Sequence, residues 1–541
     1  MSFLLRRATR LPIGSSSRLL TRHASTSRPS GRSGHVFRPF AAVGLLSAAG
    51  LAVLGATAPS REPESAPPSG PSTDPNPLTS TSIARVPFGQ LVRSYFVYTT
   101  LTFPFVVDYA PGFLEFLIKI PVVRSITLFG VRRTFFAQFV GGETAEELLP
   151  LMSDLRLQNK ASILTYNVEV DEAPGAEAQW KRNIEETKRS IEVMGQYAAG
   201  EGGIVAIKLT ALVPHASALE NISQYLLANR KSSTVQYPGT PEQLDVAVLQ
   251  GTAKGLPPPP AADIAEIREM YAGAREIART AKEYDIKLLV DAEHTWFQPV
   301  VDAITLALSQ EFNTRPTHGS FFGPSPPRAV VYGTYQSYLR RNPEHVCAQL
   351  DLAKAGGYAL GVKLVRGAYH GQELAHAKER GMPAPVWAEK PQTDECYNSV
   401  ARVVLRDIAA NKGRSGTAVV FGTHNRESVE TVLDGLTKEG LVIEEQGGRL
   451  RMKPEAEGRV AVAQLYGMHD NLTDYVAERL VASKPVATKC IPYGIIDEVM
   501  PYLGRRAIEN KSVLGGTGGA SEERRRMGAE LWRRIKRNVA L

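Results

Sequence analysis

The chain has 541 residues and a formal net charge of +8, which by itself would suit a basic protein that binds nucleic acid. The excess lies in the first 61 residues, which hold nine arginines and no Lys, Asp or Glu. This leaves 54 of the 63 basic and all 55 acidic side chains for the other 480 residues. Such a balanced body cannot displace counterions from phosphates, so we expect no nucleic-acid partner.

Three segments precede the region with folding patterns. The Arg- and Ser-rich, acid-free residues 1–39 predict a mitochondrial transit peptide, with a disordered basic tail as the alternative. Residues 40–58 are uncharged and about long enough to span a bilayer, so they predict either a membrane anchor or a sorting segment that is removed. Residues 59–84 are rich in Pro, Ser and Thr and predict a disordered linker.

The remaining chain alternates short apolar runs with longer amphipathic segments. Residues 85–160 have a helical, aromatic pattern, and residues 161–515 predict eight buried strands, each followed by a helix, with a Pro-rich insertion at 211–260. This order predicts a parallel (βα)8 TIM-type barrel rather than a doubly wound sheet. Residues 516–541 predict a basic helix, with a solvated face as the first interpretation and a membrane-surface contact as the second. The predicted strands are 162–168, 204–210, 287–293, 330–336, 359–365, 418–424, 460–467 and 487–494, and a helix is predicted at 472–482, before the eighth strand.

Nearly every predicted strand ends in a polar cluster. In a (βα)8 barrel the carboxyl ends of all strands surround one mouth, where active sites of this fold lie. We therefore expect these side chains to share one site. The clusters are Lys208; Asp291, Glu293 and His294; Gln336; Lys363, Arg366 and His370; Thr423, His424 and Asn425; His469 and Asp470; and Lys489 and Tyr493.

Two kinds of chemistry compete for this mouth. Three histidines (294, 424 and 469) with Asp291 and Asp470 would suit a metal-dependent hydrolase, although no closely spaced His-x-His pair occurs. Alternatively, Lys363, Arg366 and the Gly367 backbone would suit an anionic cofactor that carries a pyrophosphate. No Gly-x-Gly-x-x-Gly follows a strand, so a dinucleotide would be held by the barrel itself.

The segment 502–510, Tyr-Leu-Gly-Arg-Arg-Ala-Ile-Glu-Asn, follows the eighth strand. On a helix, Tyr502, Arg505, Arg506 and Glu509 are three and four residues apart and share one side. Two guanidiniums can bind a small carboxylate in a fixed orientation, which predicts a carboxylate clamp. The alternative is a solvated helix face with an ion pair.

Six motifs together resemble the mitochondrial proline dehydrogenases, with fungal-like character, from about residue 130 to 515. The two most specific are the Tyr-Leu-x-Arg-Arg-x-x-Glu-Asn run at 502–510 and Lys-Leu-Val-Arg-Gly-Ala-Tyr at 363–369. The other four are Ile-Lys-Leu-Thr-Ala at 207–211, Val-Asp-Ala-Glu-His-Thr-Trp-Phe-Gln-Pro at 290–299, Gly-Thr-His-Asn at 422–425 and Gln-Leu-Tyr-Gly-Met at 464–468.

The resemblance implies an enzyme that uses FAD to oxidise L-proline to Δ1-pyrroline-5-carboxylate and passes electrons to ubiquinone, on the matrix side of the inner mitochondrial membrane or anchored in it. It implies that Lys208, Arg505 and Arg506 hold the proline carboxylate and that Leu465, Tyr493 and Tyr502 enclose the ring. Asp291 would support both the flavin and the arginines. The implied cofactor residues are Asp291, Lys363, Arg366, Gly367, Ala368, His370, Thr423, His424, Arg506 and Glu509.

Three positions depart from the pattern of bacterial relatives. Lys363 stands where those proteins carry arginine, Gly333 where relatives offer an amide side chain, and His370 where they carry tryptophan. The nearest alternative activity is 4-hydroxyproline dehydrogenase, and we expect the phenol of Tyr502 to crowd a ring hydroxyl. A membrane-tethered barrel without catalysis is a third alternative.

Overall fold

The computed structural model describes residues 83–103, 105, 107, 109, 114, 116–167, 176–200, 202–230, 235–315, 326–410, 414–512 and 520–539. The predicted transit peptide, the hydrophobic segment 40–58 and nearly all of the linker lie outside these residues. In the part that is described, no helix combines the length and the apolar character needed to cross a membrane.

Eight parallel strands close into a barrel, which confirms the predicted fold class. Every pairing between barrel neighbours is parallel, and the last strand pairs with the first. In order around the barrel the strands are β1 (Lys160–Tyr166), β2 (Gly203–Ile207), β3 (Ile286–Val290), β4 (Val331–Gln336), β5 (Gly361–Val365), β6 (Ala418–Gly422), β9 (Val460–Leu465) and β11 (Ala487–Tyr493).

Helices surround this barrel and extend the chain at both of its ends. The region 211–260 contains two of them, α5 and α6. The helices are α1 (Phe88–Leu101), α2 (Pro121–Val131), α3 (Leu149–Leu157), α4 (Ala176–Ala198), α5 (Ala216–Asn229), α6 (Gln243–Leu249), α7 (Ala261–Glu283), α8 (Gln298–Phe312), α9 (Asn342–Gly356), α10 (His370–Glu379), α11 (Lys390–Ala409), α12 (Arg426–Lys438), α13 (Asp470–Arg479), α14 (Ile496–Ser512) and α15 (Ala520–Val539). Beyond α2 the chain continues through a π-helical turn (Arg132–Phe136) into a short α turn (Ala137–Phe139).

Strand periodicity divides the barrel interior into an apolar floor and a polar mouth. Because alternate residues of a strand point to opposite faces, every second side chain enters the barrel. Below the carboxyl ends of the strands these inward residues are apolar, as with Ile163, Ile204 and Leu289. At the carboxyl ends the same parity brings in Lys208 and Asp291. The floor therefore closes the barrel below a polar cavity.

A small second sheet lies outside the barrel and was not predicted. It comprises β7 (Val442–Glu445), β8 (Arg449–Met452) and β10 (Leu480–Val481). The three-residue loop 446–448 connects the antiparallel strands β7 and β8, and its Gly447 and Gly448 both have positive φ. Three-residue loops that place glycine in this conformation are common in hairpins. The predicted helix 472–482 is too long at its end, because α13 stops at Arg479 and the chain then pairs with β8.

The C-terminal helix α15 packs against α1, so the interpretation of α15 as a solvated helix is wrong. Its apolar stripe includes Met527 and Leu531, which join the cluster formed by the N-terminal helices. Three charged residues are buried with this stripe, namely Glu523, Arg526 and Glu530. Arg526 lies 2.5 Å from Asp474 of α13, and Glu523 lies beside it. Burial raises the pKa of Glu523 to about 7.

Candidate active site

A cavity of about 1900 Å³ opens at the carboxyl ends of the barrel strands. It brings together thirteen of the fifteen residues predicted for the site, from five strand ends and helix α14. Their roles stay predictions, but they do share one volume. These residues are Lys208, Asp291, Lys363, Arg366, Gly367, Ala368, Thr423, His424, Leu465, Tyr502, Arg505, Arg506 and Glu509.

A charged pair spans two strands of the mouth. The Nζ atom of Lys363, on β5, forms an ion pair with Asp291, which follows β3. Burial disfavours the charge on Lys363, but Asp291 more than offsets this and the pKa of Lys363 is raised. Lys208 adds a third charge from the end of β2. Its charge opposes the burial that raises the pKa of Glu293.

Arg366 is held rigidly by the protein. Its Nε donates to Asp394 at 2.7 Å, one terminal nitrogen donates to Thr423 at 2.7 Å, and the other donates to Ser428 at 2.8 Å. The guanidinium carbon also lies 4.7 Å from the ring centroid of Tyr397. Because all of its nitrogens are engaged, Arg366 presents a fixed positive charge to the cavity.

His424 is neutral and its tautomer follows from its contacts. The backbone N–H of Leu465 donates to Nε2 of His424 at 3.0 Å, so the ring proton resides on Nδ1. Burial, with His469 and nearby cations adding to it, lowers the pKa of His424 well below its usual value. Nδ1 lies 4.0 Å from Glu509 on α14. His424 therefore offers a proton donor rather than a positive charge.

The helix α14 carries the predicted carboxylate clamp over the cavity. Arg506 forms an ion pair with Glu509, and its guanidinium lies 4.9 Å from the ring centroid of Tyr502. The Nε of Arg506 and the hydroxyl of Tyr502 are buried, and neither has a hydrogen-bond partner among the described residues. Buried donors without a partner are costly, so these two groups suit a bound ligand. The solvated-face alternative for this helix is wrong, because the face lines the cavity.

Tyr493 does not lie in the cavity, which corrects the prediction. Strand β11 places Cys490 and Pro492 inward, so parity turns Tyr493 outward. Its ring is fully buried beside Tyr166, with centroids 5.3 Å apart, and burial together with Glu186 of α4 raises its pKa well above the usual value. Cys490 occupies the inward place that the sequence reasoning gave to Tyr493.

The prediction for His370 also requires correction. His370 begins α10, its Nε2 donates to the carbonyl oxygen of Trp387 at 2.9 Å, and it is not among the residues that line the cavity. Gly333 points outward on β4, whereas the amide side chain of Gln336, three residues later, lines the cavity. The Nε2 of Gln336 donates to the carbonyl oxygen of Glu293 at 3.0 Å, whereas its Oε1 is buried without a hydrogen-bond partner in the described part of the chain.

Sequence reasoning missed further residues of the cavity wall. Thr165 and Cys490 lie side by side, with 3.4 Å between Oγ1 and Sγ. Gln464 resembles Gln336, since its Nε2 donates to a carbonyl oxygen and its Oε1 is buried without a hydrogen-bond partner among described residues. Strand parity would have found Thr165 and Cys490. No local signal places α15 over the cavity, where its contributions are Glu522, Arg525, Arg526 and Ala529.

The histidines of the hydrolase alternative do not converge. His424 and His469 lie together, with ring centroids 4.7 Å apart, whereas His294 stacks on Trp296 outside the cavity. Asp470 pairs instead with Lys489 on the outer side of β11. Among the residues that the structure describes, no group of three or more His, Cys, Asp or Glu side chains could hold a metal ion.

Comparison with known proteins defines the class. The sequence model of the proline dehydrogenase family matches residues 153–517. This match covers more than half of the chain, and the chain belongs to that family. It is therefore an oxidoreductase that acts on proline or hydroxyproline. This confirms the resemblance and excludes the two alternative functions, a metal-dependent hydrolase and a membrane-tethered barrel without catalysis.

Curated relatives carry both activities in their names. Hydroxyproline dehydrogenase of Homo sapiens is 29% identical over 419 residues, which cover 75% of this chain and 82% of that protein. Proline dehydrogenase 2, mitochondrial, of Arabidopsis thaliana is 28% identical over 458 residues and covers 84% of this chain and 89% of that protein. Proline dehydrogenase 1, mitochondrial, of Homo sapiens is 33% identical over 260 residues, but these cover 48% of this chain and 38% of that protein.

A solved structure supports the fold alone. Proline utilization A from Bdellovibrio bacteriovorus, inactivated by N-propargylglycine, is 16% identical and superimposes with a TM-score of 0.51. The similarity covers 88% of this chain and 42% of that protein, so this chain spans about two fifths of the bacterial one.

Proposed function

We propose that this protein uses FAD to oxidise L-proline to Δ1-pyrroline-5-carboxylate and passes the electrons to ubiquinone, as the first step of proline breakdown. The observation that carries the proposal is the meeting of two unlike groups in one cavity. Arg505 and Arg506 lie on α14, and the pair formed by Lys363 and Asp291 lies on the strand ends. The first group suits a small carboxylate, and the second suits a polar ring system.

The substrate-binding side chains hold proline in a fixed orientation. The guanidinium of Arg506, fixed by Glu509 and by the ring of Tyr502, donates to the proline carboxylate. Arg505 and Lys208 supply further positive charge to the same carboxylate. Tyr502 and the inward side chain of Leu465 enclose the ring and hold its C–H bond in the geometry that hydride transfer needs. Tyr493 has no part in this binding.

The residues of the cavity fit FAD on three counts. The buried Oε1 of Gln336 lacks a donor among the described residues and suits a ring N–H. Arg366 offers a fixed positive charge for a phosphate. At Gly367, φ is +123° and a Cβ would lie 2.5 Å from the ring of Tyr338, so only glycine allows close approach there. When bound, FAD supplies the hydride acceptor, which no side chain can provide.

The remaining cofactor contacts come from the neighbouring strand ends. We assign Lys363, Asp291, His424 and Glu509 to the flavin, which they would hold by polar contacts. Ala368 and Thr423 also line the cavity. The cavity of about 1900 Å³ has room for the dinucleotide and the substrate together.

Hydroxyproline is a second candidate substrate, favoured by one feature of the wall. Cys490 and Thr165 are small, and they place a thiol and a hydroxyl next to each other in the cavity. A ring hydroxyl can enter such a space and form a hydrogen bond with Thr165. The hydroxyproline dehydrogenases among the relatives match most of the chain. The ratio of kcat/KM for the two substrates decides between them.

The proposed location is the inner mitochondrial membrane, where ubiquinone resides. The support consists of the basic, acid-free residues 1–39 and of relatives whose names call them mitochondrial. Attachment through residues 40–58 remains part of this proposal.

The colour of the purified protein tests the proposed reaction. We expect a yellow protein whose flavin absorbance near ~450 nm bleaches when proline is added without oxygen. A colourless protein that contains stoichiometric zinc would contradict the proposal.

A further inference from the structure

The helix α2 is unusual because none of its eleven residues is buried. Its sequence is nevertheless apolar, with an isoleucine, a leucine, a phenylalanine and a valine in its second half alone. A helix on the surface of a water-soluble protein normally carries polar residues on the side that faces the solvent. Large contiguous apolar surfaces of this kind usually mark a binding site for a protein or a membrane.

The two sides of α2 have different partners. Leu128 and Val131 pack against the cluster of the N-terminal helices. Val122, Ile126 and Phe129 are spaced by four and three residues and share the opposite side, where they are 75%, 69% and 46% exposed. We call these three residues the α2 outer face. Aromatic residues of the preceding segment are exposed as well, namely Phe103, Phe105, Tyr109 and Phe116.

Basic side chains outnumber acidic ones around the α2 outer face. Residues 116–142 contain four basic side chains, Lys119, Arg124, Arg132 and Arg133, and no acidic one. Two of the four pair with acidic residues from outside this stretch, Arg124 with Asp497 and Arg132 with Glu143. The guanidinium of Arg133 lies 5.4 Å from the ring centroid of Phe129. Apolar residues fringed by Lys and Arg are the pattern of helices that lie in the interface of an anionic bilayer.

We propose that the α2 outer face binds the surface of an anionic lipid bilayer. Eleven residues of helix span about 16 Å, roughly half of the hydrocarbon thickness, so α2 lies along the membrane rather than crossing it. A second copy of this chain is the poorer occupant, because it would oppose two positively charged faces. The basic fringe instead complements acidic headgroups.

The helix α2 also contacts helix α14 of the active site. Arg124 of α2 pairs with Asp497 in the first turn of α14, at 2.9 Å. The same helix carries Arg505 and Arg506 over the cavity. This inference rests on the membrane location in the proposed function, and it names the surface and the lipid class. It requires neither the proposed substrate nor the segment 40–58.

Sedimentation of the full chain with lipid vesicles tests the proposal. Vesicles are made from phosphatidylcholine with or without cardiolipin, and the test variant is Val122→Glu/Ile126→Glu. The matched control is Leu157→Glu/Ile443→Glu, since Leu157 and Ile443 are also exposed apolar residues, at 80% and 53%. Residues 40–58 are present in all proteins, so any contribution from them is equal. Thermal unfolding of both variants verifies that they fold.

We expect the wild type and the control to bind cardiolipin vesicles, and the test variant to lose binding at least about tenfold because two carboxylates enter the apolar face. Equal binding by all three proteins would overturn the proposal, as would equal binding to vesicles without cardiolipin. A test variant that changes only its oligomeric state would identify a self-association surface instead. Proline-dependent reduction of a soluble dye is measured in parallel, so failure of the proposed reaction is recognised separately.

Discussion

The strand-held half of the active site and its helix-held half use charge in opposite ways. On the strand ends the charged groups are already engaged by the protein, since Arg366 donates from all its nitrogens and Lys363 pairs with Asp291. On α14, Arg506 keeps a buried Nε and Tyr502 a buried hydroxyl, both without hydrogen-bond partners in the described part of the chain. On the strand ends the charged groups have protein partners and the buried amide oxygens of Gln336 and Gln464 lack donors among the described residues, whereas on α14 it is the buried donors that lack acceptors.

This difference indicates a division of labour. Charges that the protein neutralises and holds in place form a scaffold of constant geometry, which suits a resident cofactor. Buried donors that lack partners carry a free-energy cost which a ligand carboxylate can relieve. The helix-held half therefore suits the group that binds and leaves in each cycle. Variants in the two halves should consequently fail in different ways.

The largest expected effect lies in the strand-held half and concerns stability. Asp291→Ala leaves Lys363, whose side chain is 15% exposed, without its counter-charge, so we expect the free energy of unfolding to fall by about 3–5 kcal/mol. Chemical denaturation measures this change. The control is Asp497→Ala, which breaks an exposed pair with Arg124 and should cost less than about 1 kcal/mol. A smaller loss for Asp291→Ala than for the control would refute the scaffold role.

The next effect lies in the helix-held half and concerns catalysis. Arg506→Met removes a charged hydrogen bond to the substrate carboxylate. We expect the transition state to lose about 2–4 kcal/mol of stabilisation, which lowers kcat/KM for proline about 30- to 800-fold. Arg505→Met should act in the same direction. Steady-state kinetics with Arg402→Met, an exposed arginine on α11, provides the control. Normal kinetics in both clamp variants would refute the assignment.

A third effect concerns substrate choice on the wall between the two halves. Cys490→Phe fills the space beside Thr165, so the preference for hydroxyproline over proline should drop by about 1–3 kcal/mol, or about 5- to 150-fold. The ratio of kcat/KM for the two substrates measures it. Cys347→Phe, at an exposed cysteine, should leave the ratio unchanged. An unchanged ratio in Cys490→Phe would place the hydroxyl elsewhere.

The smallest effect concerns pH and lies outside both halves. Burial, with Arg341 adding to it, lowers the pKa of His345 to about 3. Below pH ~6.5 the unfolded chain binds a proton at this histidine and the folded protein does not, so the free energy of unfolding falls by up to about 1.4 kcal/mol per pH unit. Denaturation of His345→Gln between neutral and acidic pH should show a shallower slope. An identical slope would contradict this account.

Much of the fold and site was predictable because periodicity and strand-end chemistry are local. The eight apolar runs predict the strands, and residues such as Lys208, Asp291 and Lys363 follow them directly. The error at Tyr493 arose from reading a motif without strand parity, since three steps from Cys490 reverse the direction of a side chain. By the same rule Gly333 points away from the cavity and Gln336 points into it.

Other features depend on tertiary packing, which sequence does not display. The basic helix α15 looks solvated by composition, yet its buried Arg526 meets Asp474, fifty-two residues earlier in the chain. Nothing near either residue indicates this pairing. The hairpin of β7 and β8 is different, because it has a local signal. Gly447 and Gly448 predict the turn, and the alternating residues on either side of them predict the two strands.

The most direct test of the account compares proline with prolinamide, which has the same ring but no carboxylate. The rate of anaerobic bleaching by each compound is measured in the wild type and in Arg505→Met/Arg506→Met. The account predicts that the wild type strongly prefers proline and that the double variant loses most of this preference. The same preference in both proteins would contradict the carboxylate clamp.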